Sequence, residues 1–172
     1  MKRQNFEIAV AQSNIEWTGR KITGAHFGTI SLKHGKFTVD DGKLTGGRFI
    51  IDIASIKILD LADPGTSAQF ADHLASEDFF GTAQYPEATF EITEVNNNHI
   101  EGNLTIKGIT HPIGFDASVN IGDEILNASG VIVVDRTKYG IKFRSGNFFK
   151  NLGDTLIYND FDLNVNITAK AA

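Results

Sequence analysis

From Asp160 to Ile167 the chain reads Asp-Phe-Asp-Leu-Asn-Val-Asn-Ile, polar and apolar in strict turn. The same beat runs from His111 to Ile121, where Ile113, Phe115, Ala117, Val119 and Ile121 alternate with Pro112, Gly114, Asp116, Ser118 and Asn120. Strand side chains point to opposite faces with period two, so each segment is predicted as a strand with one wet and one apolar face. At ~3.3 Å per residue, a dozen residues span roughly 40 Å, about twice an ordinary strand. Long one-sided strands have to close their apolar faces around something.

Shorter alternating runs surround these two. Phe6, Ile8 and Val10 suggest a first strand, continued by Ile15 and Trp17; Ile30 and Leu32 mark a second region. Asp41-Gly42, between Phe37-Thr38-Val39 and Leu44, is the strongest hairpin signal in the chain. Phe49, Ile51, Ile53, Ile56 and Ile58 extend the next run. The pattern changes after Asp63-Pro64-Gly65: Phe70 and Leu74 lie four residues apart, which predicts a helix from Ser67 to Phe80. Thr66 or Ser67 is its expected N-cap, and Gly81 lies just past its end. Strands resume at Phe90-Ile92 and at Ile100-Leu104-Ile106, after a turn at Asn96-Asn97-Asn98. Val131 to Val134 is apolar on both faces, which predicts burial on both sides. A Gly/Asp/Asn-rich loop, Ser145 to Asp154, leads into the final strand. Strands joined by short turns, with a single helix, predict an all-β fold: an antiparallel sheet closing on itself. With strands tilted by 35–45°, such a barrel stands roughly 30 Å tall.

At 172 residues the chain reads as one domain over 1–172, able to bury roughly 70% of its unfolded surface. Its 41% hydrophobic and 22% charged content is that of an ordinary globular protein. A net charge of −5 argues against a nucleic-acid partner and mildly against docking on anionic membrane surfaces. Cysteine is absent, which excludes disulfides, thiolate catalysis and cysteine metal sites. No stretch approaches the ~20 apolar residues of a membrane helix. The basic opening Met1 to Asn5 is followed by a run that is too short and carries Glu7, so it does not read as a signal peptide. The compartment stays open: periplasmic or secreted if a leader has been removed, otherwise cytoplasmic.

Catalytic spacings are missing. His26, His34, His73, His99 and His111 form no H-x-H or H-E-x-x-H arrangement, and there is no G-x-S-x-G. The carboxylate pairs Asp40-Asp41, Glu77-Asp78 and Asp123-Glu124 fall in predicted turns or at the helix end, where solvation is the plain reading. Gly42, Gly46 and Gly47 open no helix and do not read as a phosphate loop. No metal, cofactor or catalytic residue is expected. Arg136, at a strand end, reads either as half of a structural ion pair with Asp135 or as a cation available to a phosphate or quinone oxygen. Arg20, Lys21 and Arg48 are weaker candidates for that role, and His73 is a second head-group candidate beside the helix.

Three stretches carry a family resemblance. His73-Leu74-Ala75-Ser76-Glu77-Asp78-Phe79-Phe80, followed by Tyr85-Pro86-Glu87-Ala88-Thr89-Phe90, resembles the "HL…FF…YP…A.F" signature of the YceI family of polyisoprenoid-binding, lipocalin-like proteins. Gly102 to Pro112 is similar to that family's "G.LTIKG.T.P" segment, and Asp135 to Ile141 to its "DR..(F/Y)GI" segment. Ser13 to Trp17 corresponds to the opening strand. The resemblance implies an eight-stranded antiparallel lipocalin-like barrel with a short helix near one mouth. It also implies an apolar interior that takes the tail of an isoprenoid quinone or polyprenyl phosphate as ligand, for transport or storage.

With 13 phenylalanines against one methionine, rigid aromatics are the expected cavity lining: Trp17, Phe27, Phe37, Phe49, Phe80, Phe90, Phe115, Phe143 and Phe148. Which of them face inward depends on register, since a one-residue slip reverses every face. Two other readings stay open: an enzyme acting on a lipid head group in the same pocket, and a barrel filled solid by its own side chains that serves as a stress-response or interaction domain. A homodimer is left open as well.

Overall fold

The computed structural model describes residues 2–146, 148–150, 152–153 and 156–172. Its strands are β1 (Arg3–Ile8), β2 (Asn14–Lys21), β3 (Gly24–Asp40), β4 (Lys43–Ile58), β5 (Glu87–Asn96), β6 (His99–Ile106), β7 (Ile109–Ile121), β8 (Ile125–Asp135) and β9 (Ile157–Ala171). The helix α1 (Pro64–Ala75) lies between β4 and β5. Every pairing is antiparallel, and the order around the sheet is β3-β2-β9-β8-β7-β6-β5-β4, closed by β3 against β4. β1 adds no ninth position. It pairs with the far ends of β3 and β9, in line with β2 and separated from it by a 3-10 turn at Val10–Gln12. The barrel is therefore eight-stranded, with one position filled by two segments.

Local chemistry explains the punctuation. Asp41 and Gly42 both have positive φ, 52° and 80°, as the tight turn between β3 and β4 requires. The helix starts earlier and ends sooner than its periodicity suggests. Pro64 takes the first turn, where its missing N–H costs nothing, and Asp63 is the N-cap, its Oδ2 accepting from the Thr66 amide at 2.9 Å. The helix stops at Ala75, so Phe79 and Phe80 lie in the turn beyond it.

The reading of Val131 to Val134 as doubly buried is corrected. Val134 is fully buried, whereas Val131 and Val133 are 54% and 52% exposed. They alternate across a wall whose outer face meets water, and their pairing partners Asn164 and Asp162 belong to the same outer face.

The interior is divided along its length. Turns 41–42, 97–98 and 122–124 and both termini gather at one end, and here the barrel is solid. Phe37, Phe49, Phe90 and Phe115 form a chain of ring contacts with centroids 4.9, 6.2 and 5.7 Å apart. Phe6, Val39, Ile100, Leu126 and Ala169 fill the space around them. At the other end are the β2–β3 turn, the β4–β5 connection with α1, the β6–β7 turn and the long β8–β9 loop. That end is open.

Candidate functional site: a half-depth apolar cavity

Above the phenylalanine floor lies a cavity of about 560 Å³, within the 300–1,000 Å³ usual for small-molecule sites. Its depth is aliphatic. Ile15, Ile30, Ile51, Ile53, Ile56, Ile106, Leu104 and Leu163 face it from five strands, with Ala88 of a sixth leaving room between them. Trp17 lines it from β2, its indole N–H donating to the Thr29 carbonyl at 3.2 Å. That bond satisfies the ring's one polar atom and leaves the rest of the indole as apolar wall.

The mouth is built differently. Phe70 and Leu74 of α1 cover one side, and Phe79 and Phe80 turn in below the helix. Phe143, from the β8–β9 loop, meets Phe79 at 5.6 Å and His73 at 4.7 Å between ring centroids. Lys21, Arg136 and Arg144 border the cavity here, with the imidazoles of His26 and His73; Arg20 also borders it, but its guanidinium turns to the outer face. Arg20 is held by Asp162 at 2.8 Å. The arrangement is amphipathic along its axis, greasy in the depth and charged at the entrance, where three cations stand with one carboxylate, Asp160.

Arg136 is buried, and its guanidinium does not pair with Asp135. Nε donates to the Tyr158 carbonyl at 2.9 Å, Nη1 to that of Ile141 at 2.8 Å and Nη2 to that of Ile157 at 3.1 Å. The Asp135 carboxylate instead caps Thr137, accepting from its amide and hydroxyl. Arg136 thus ties the β8–β9 loop to the start of β9, which corrects the expected ion pair. Burial pulls its pKa below the ordinary arginine value, because the charge has lost water, while the nearby Asp135 charge acts in the opposite sense. These three bonds use one N–H on each terminal nitrogen and leave the second on each unused by them.

The aromatic candidates separate into three groups. Trp17, Phe80 and Phe143 line the cavity. Phe37, Phe49, Phe90 and Phe115 do not: they point inward but sit in the floor, packed against one another. Phe27 and Phe148 are exposed, at 49% and 50%. Phe27 pairs with Thr18 on the outer face, in the opposite phase to Trp17 and Gly28. Of the polar candidates, Arg136 and His73 reach the cavity, as does Lys21; Arg20 borders it with its guanidinium on Asp162 outside, and Arg48 does not line it. His73 also contacts Asp78 at 3.2 Å.

Sequence reasoning passed over the aliphatic lining because it favoured aromatics, although the alternation of Ile51 and Ile53 on β4 already placed both on one face. It also passed over His26 and Asp60. His26 Nδ1 lies 2.7 Å from Asp60 Oδ2, and Phe70 packs on the imidazole at 4.7 Å. Burial disfavours the Asp60 charge, but hydrogen bonds from His26 and from the Phe27 amide outweigh it and hold the carboxyl below its usual range. The partners are 34 residues apart, so no local motif announces them. No hydroxyl of a described residue bonds to His26, and no group of three metal-ligating side chains forms among the described residues.

Comparison with known proteins agrees with this geometry. The chain is 33% identical over 150 residues to a UPF0312 protein of Staphylococcus aureus (strain bovine RF122 / ET3-1), covering 81% of this chain and 83% of that one. It is 38% identical over 125 residues to a UPF0312 protein of Staphylococcus epidermidis, covering 66% and 72%. Among solved structures, Burkholderia cenocepacia BcnA superposes with a TM-score of 0.71 at 21% identity, over 94% of this chain and 99% of that one. A polyisoprenoid binding domain from Saccharophagus degradans, implicated in plant cell wall breakdown, gives 0.67 at 12% identity over 97% and 98%. The model of the YceI-like domain matches residues 6–169. A match that begins in β1 and ends in β9 takes in every strand of the barrel, and the chain belongs to the YceI-like domain family.

Proposed function

We propose that this barrel binds a long-chain isoprenoid lipid, an isoprenoid quinone or a polyprenyl phosphate, and carries or stores it. The tail occupies the aliphatic depth and the polar head lies among the cations of the mouth. The observation that carries this reading is the polarity of the cavity along its axis: isoleucine and leucine below, and Lys21, Arg136 and Arg144 with one carboxylate, Asp160, above. Burying an apolar chain is worth ~0.8 kcal/mol per methylene, so a few enclosed isoprene units offset the cost of ordering the tail. The polyisoprenoid binding domain of Saccharophagus degradans, which shares the fold, supports the same class of ligand.

Arg136 and Arg144 are the residues we assign to the head group. Arg136 is already oriented by three carbonyls, so little side-chain entropy is lost when its remaining N–H groups meet a phosphate or quinone oxygen. The test uses the one tryptophan. Trp17 lines the cavity, so an isoprenoid quinone entering it quenches the whole tryptophan emission of the protein. Saturable quenching by a long-chain quinone, together with an isoprenoid recovered by organic extraction and mass spectrometry of purified protein, is the expected result. No lipid in the extract and no quenching would remove the reading.

A further inference from the structure

The loop joining β8 to β9 and the connection joining β4 to β5 face each other across the mouth and carry opposite charge. From residue 136 to residue 156 there are five Lys/Arg and a single Asp, in a chain whose net charge is −5. From residue 58 to residue 86 there are Asp60, Asp63, Asp72, Glu77 and Asp78 and no Lys or Arg. Arg136 is buried, but Lys138, Lys142, Arg144 and Lys150 are exposed, and none of the four forms an ion pair with a described residue.

Large apolar side chains are exposed on the basic side. Phe148 and Phe149 are 50% and 48% exposed, and Ile22, at the tip of the β2–β3 turn, is 52% exposed. The Ile22 amide donates to the Leu156 carbonyl at 3.2 Å, where the loop returns to β9, so the turn and the loop share one arc of the rim. Aromatics and cations alternate along it. Lys142 Nζ stands 4.7 Å over the Phe148 ring, and the Arg144 guanidinium 4.9 Å over that of Phe143. Clustered apolar side chains exposed beside a cavity entrance mark an interaction surface. Aromatic rings at head-group depth with Lys and Arg against lipid phosphates are how proteins seat on the surface of a bilayer.

We propose that the barrel docks on anionic lipid bilayers by this arc, with Ile22, Phe148 and Phe149 at the boundary of head groups and acyl chains and Lys138, Lys142 and Lys150 over the phosphates. The acidic helix side tilts away from the surface. The inference takes its purpose from the lipid-binding reading, since it sets the cavity entrance against the source of the lipid. It also reverses, at the mouth, what the net charge suggests for the whole chain.

The experiment is sedimentation of the whole protein with vesicles of phosphatidylcholine alone, or of phosphatidylcholine with about one-third phosphatidylglycerol as the anionic component. The protein should pellet with the anionic vesicles only, and progressively less as salt screens the charges. Each neutralised cation should weaken binding about five-fold, so the triple variant K138Q/K142Q/K150Q should lose roughly a hundredfold. F148S/F149S should also lose binding, whereas I125S, on the outer wall at the closed end of the barrel, should not. All six positions are exposed, and a thermal melt by circular dichroism checks that each variant folds. Failure of the wild type to pellet with anionic vesicles, or pelleting that both loop variants retain, overturns the proposal. So does a concentration-dependent dimer abolished by the same variants without vesicle binding, which would give the rim to a second copy. Quinone quenching of Trp17 is measured without vesicles, so docking and lipid uptake fail separately.

Discussion

Phe49 of β4 and Phe90 of β5 are directly paired across the sheet, and their rings stack with centroids 6.2 Å apart. One pair nearer the mouth, Ile51 faces Ala88, and both line the cavity. The hollow part of the barrel therefore ends within one step of the pleat, where two aliphatic positions give way to two aromatic ones.

Replacing Phe90 by alanine removes one side of that floor. The expected cost is about 3–5 kcal/mol in urea unfolding, the usual price of an aromatic-to-alanine change in a packed core. The same change deepens the cavity, so the variant should take up a longer isoprenoid quinone than the wild type. A destabilised protein with unchanged chain-length preference would show that the phenylalanines do not set the depth.

Gly102 of β6 lies against the same ring. A Cβ there would stand 2.5 Å from Phe90 Cζ and 2.5 Å from the Glu91 carbonyl oxygen, and the backbone atom cannot swing aside. Gly102→Ala should therefore destabilise by about 1–3 kcal/mol through overpacking. Gly46 serves as the control, since a Cβ there meets nothing nearer than the Thr38 Cβ at 3.8 Å. Chemical denaturation of the two variants side by side makes the comparison.

Filling the cavity should abolish uptake without dissolving the barrel. Ala88 is buried, lines the cavity and has open volume before it. Ala88→Phe should weaken quinone quenching of Trp17 more than tenfold, as expected when more than about 1.4 kcal/mol of tail contact is lost. Far-ultraviolet circular dichroism should stay that of the wild type. Unchanged quenching would place the ligand somewhere else.

Arg136 carries the β8–β9 loop, so Arg136→Met should be costly whether or not a ligand is bound. Three carbonyls at 2.8–3.1 Å lose their donor together, and an unsatisfied buried polar group costs about 1–3 kcal/mol. The melting temperature should fall by several degrees. Hydrogen exchange should rise first at Ile157 and Tyr158, at the start of β9. Arg136→Lys keeps the charge but has no fork to span three carbonyls, and should recover only part of the loss.

Acid should loosen the helix side of the mouth through Asp60. Its carboxyl is held below the ordinary value of 3.8, against the effect of burial, by His26 and the Phe27 amide. A lowered folded-state pKa means stability that is complete above the unfolded value and is lost as pH falls through the folded one. The contribution thus persists at neutral pH and disappears in acid, below the pH where free aspartate titrates. Asp60→Asn should flatten the acid limb of the stability curve, read from melts across that range. A variant that keeps the wild-type acid dependence would show that other carboxylates govern it.

Much of the fold was legible in residue order. Period-two alternation along His111–Ile121 and Asp160–Ile167 marks the strands that became β7 and β9, and Asp41-Gly42 marks the β3–β4 turn. These features are local, because backbone geometry ties side-chain direction to spacing in the chain. Val131 to Val134 misled for the same reason: four apolar neighbours do not say whether anything covers the outer face. The candidate site was less legible. Trp17, Phe80 and Phe143 reach the cavity while Phe37, Phe49, Phe90 and Phe115 do not, although all seven point inward. The difference is depth along the barrel axis, which alternation does not encode.

By itself, the sequence determined that apolar faces must close into a barrel, that one helix interrupts the strands and that acidic and basic residues fall in separate blocks. Those are properties of spacing and composition. The tertiary structure alone decided which half of the barrel is hollow, that Arg136 answers three carbonyls instead of Asp135, and that His26 meets Asp60. It also brought Ile22 beside the basic loop. Each of these joins residues that only closure of the sheet makes neighbours.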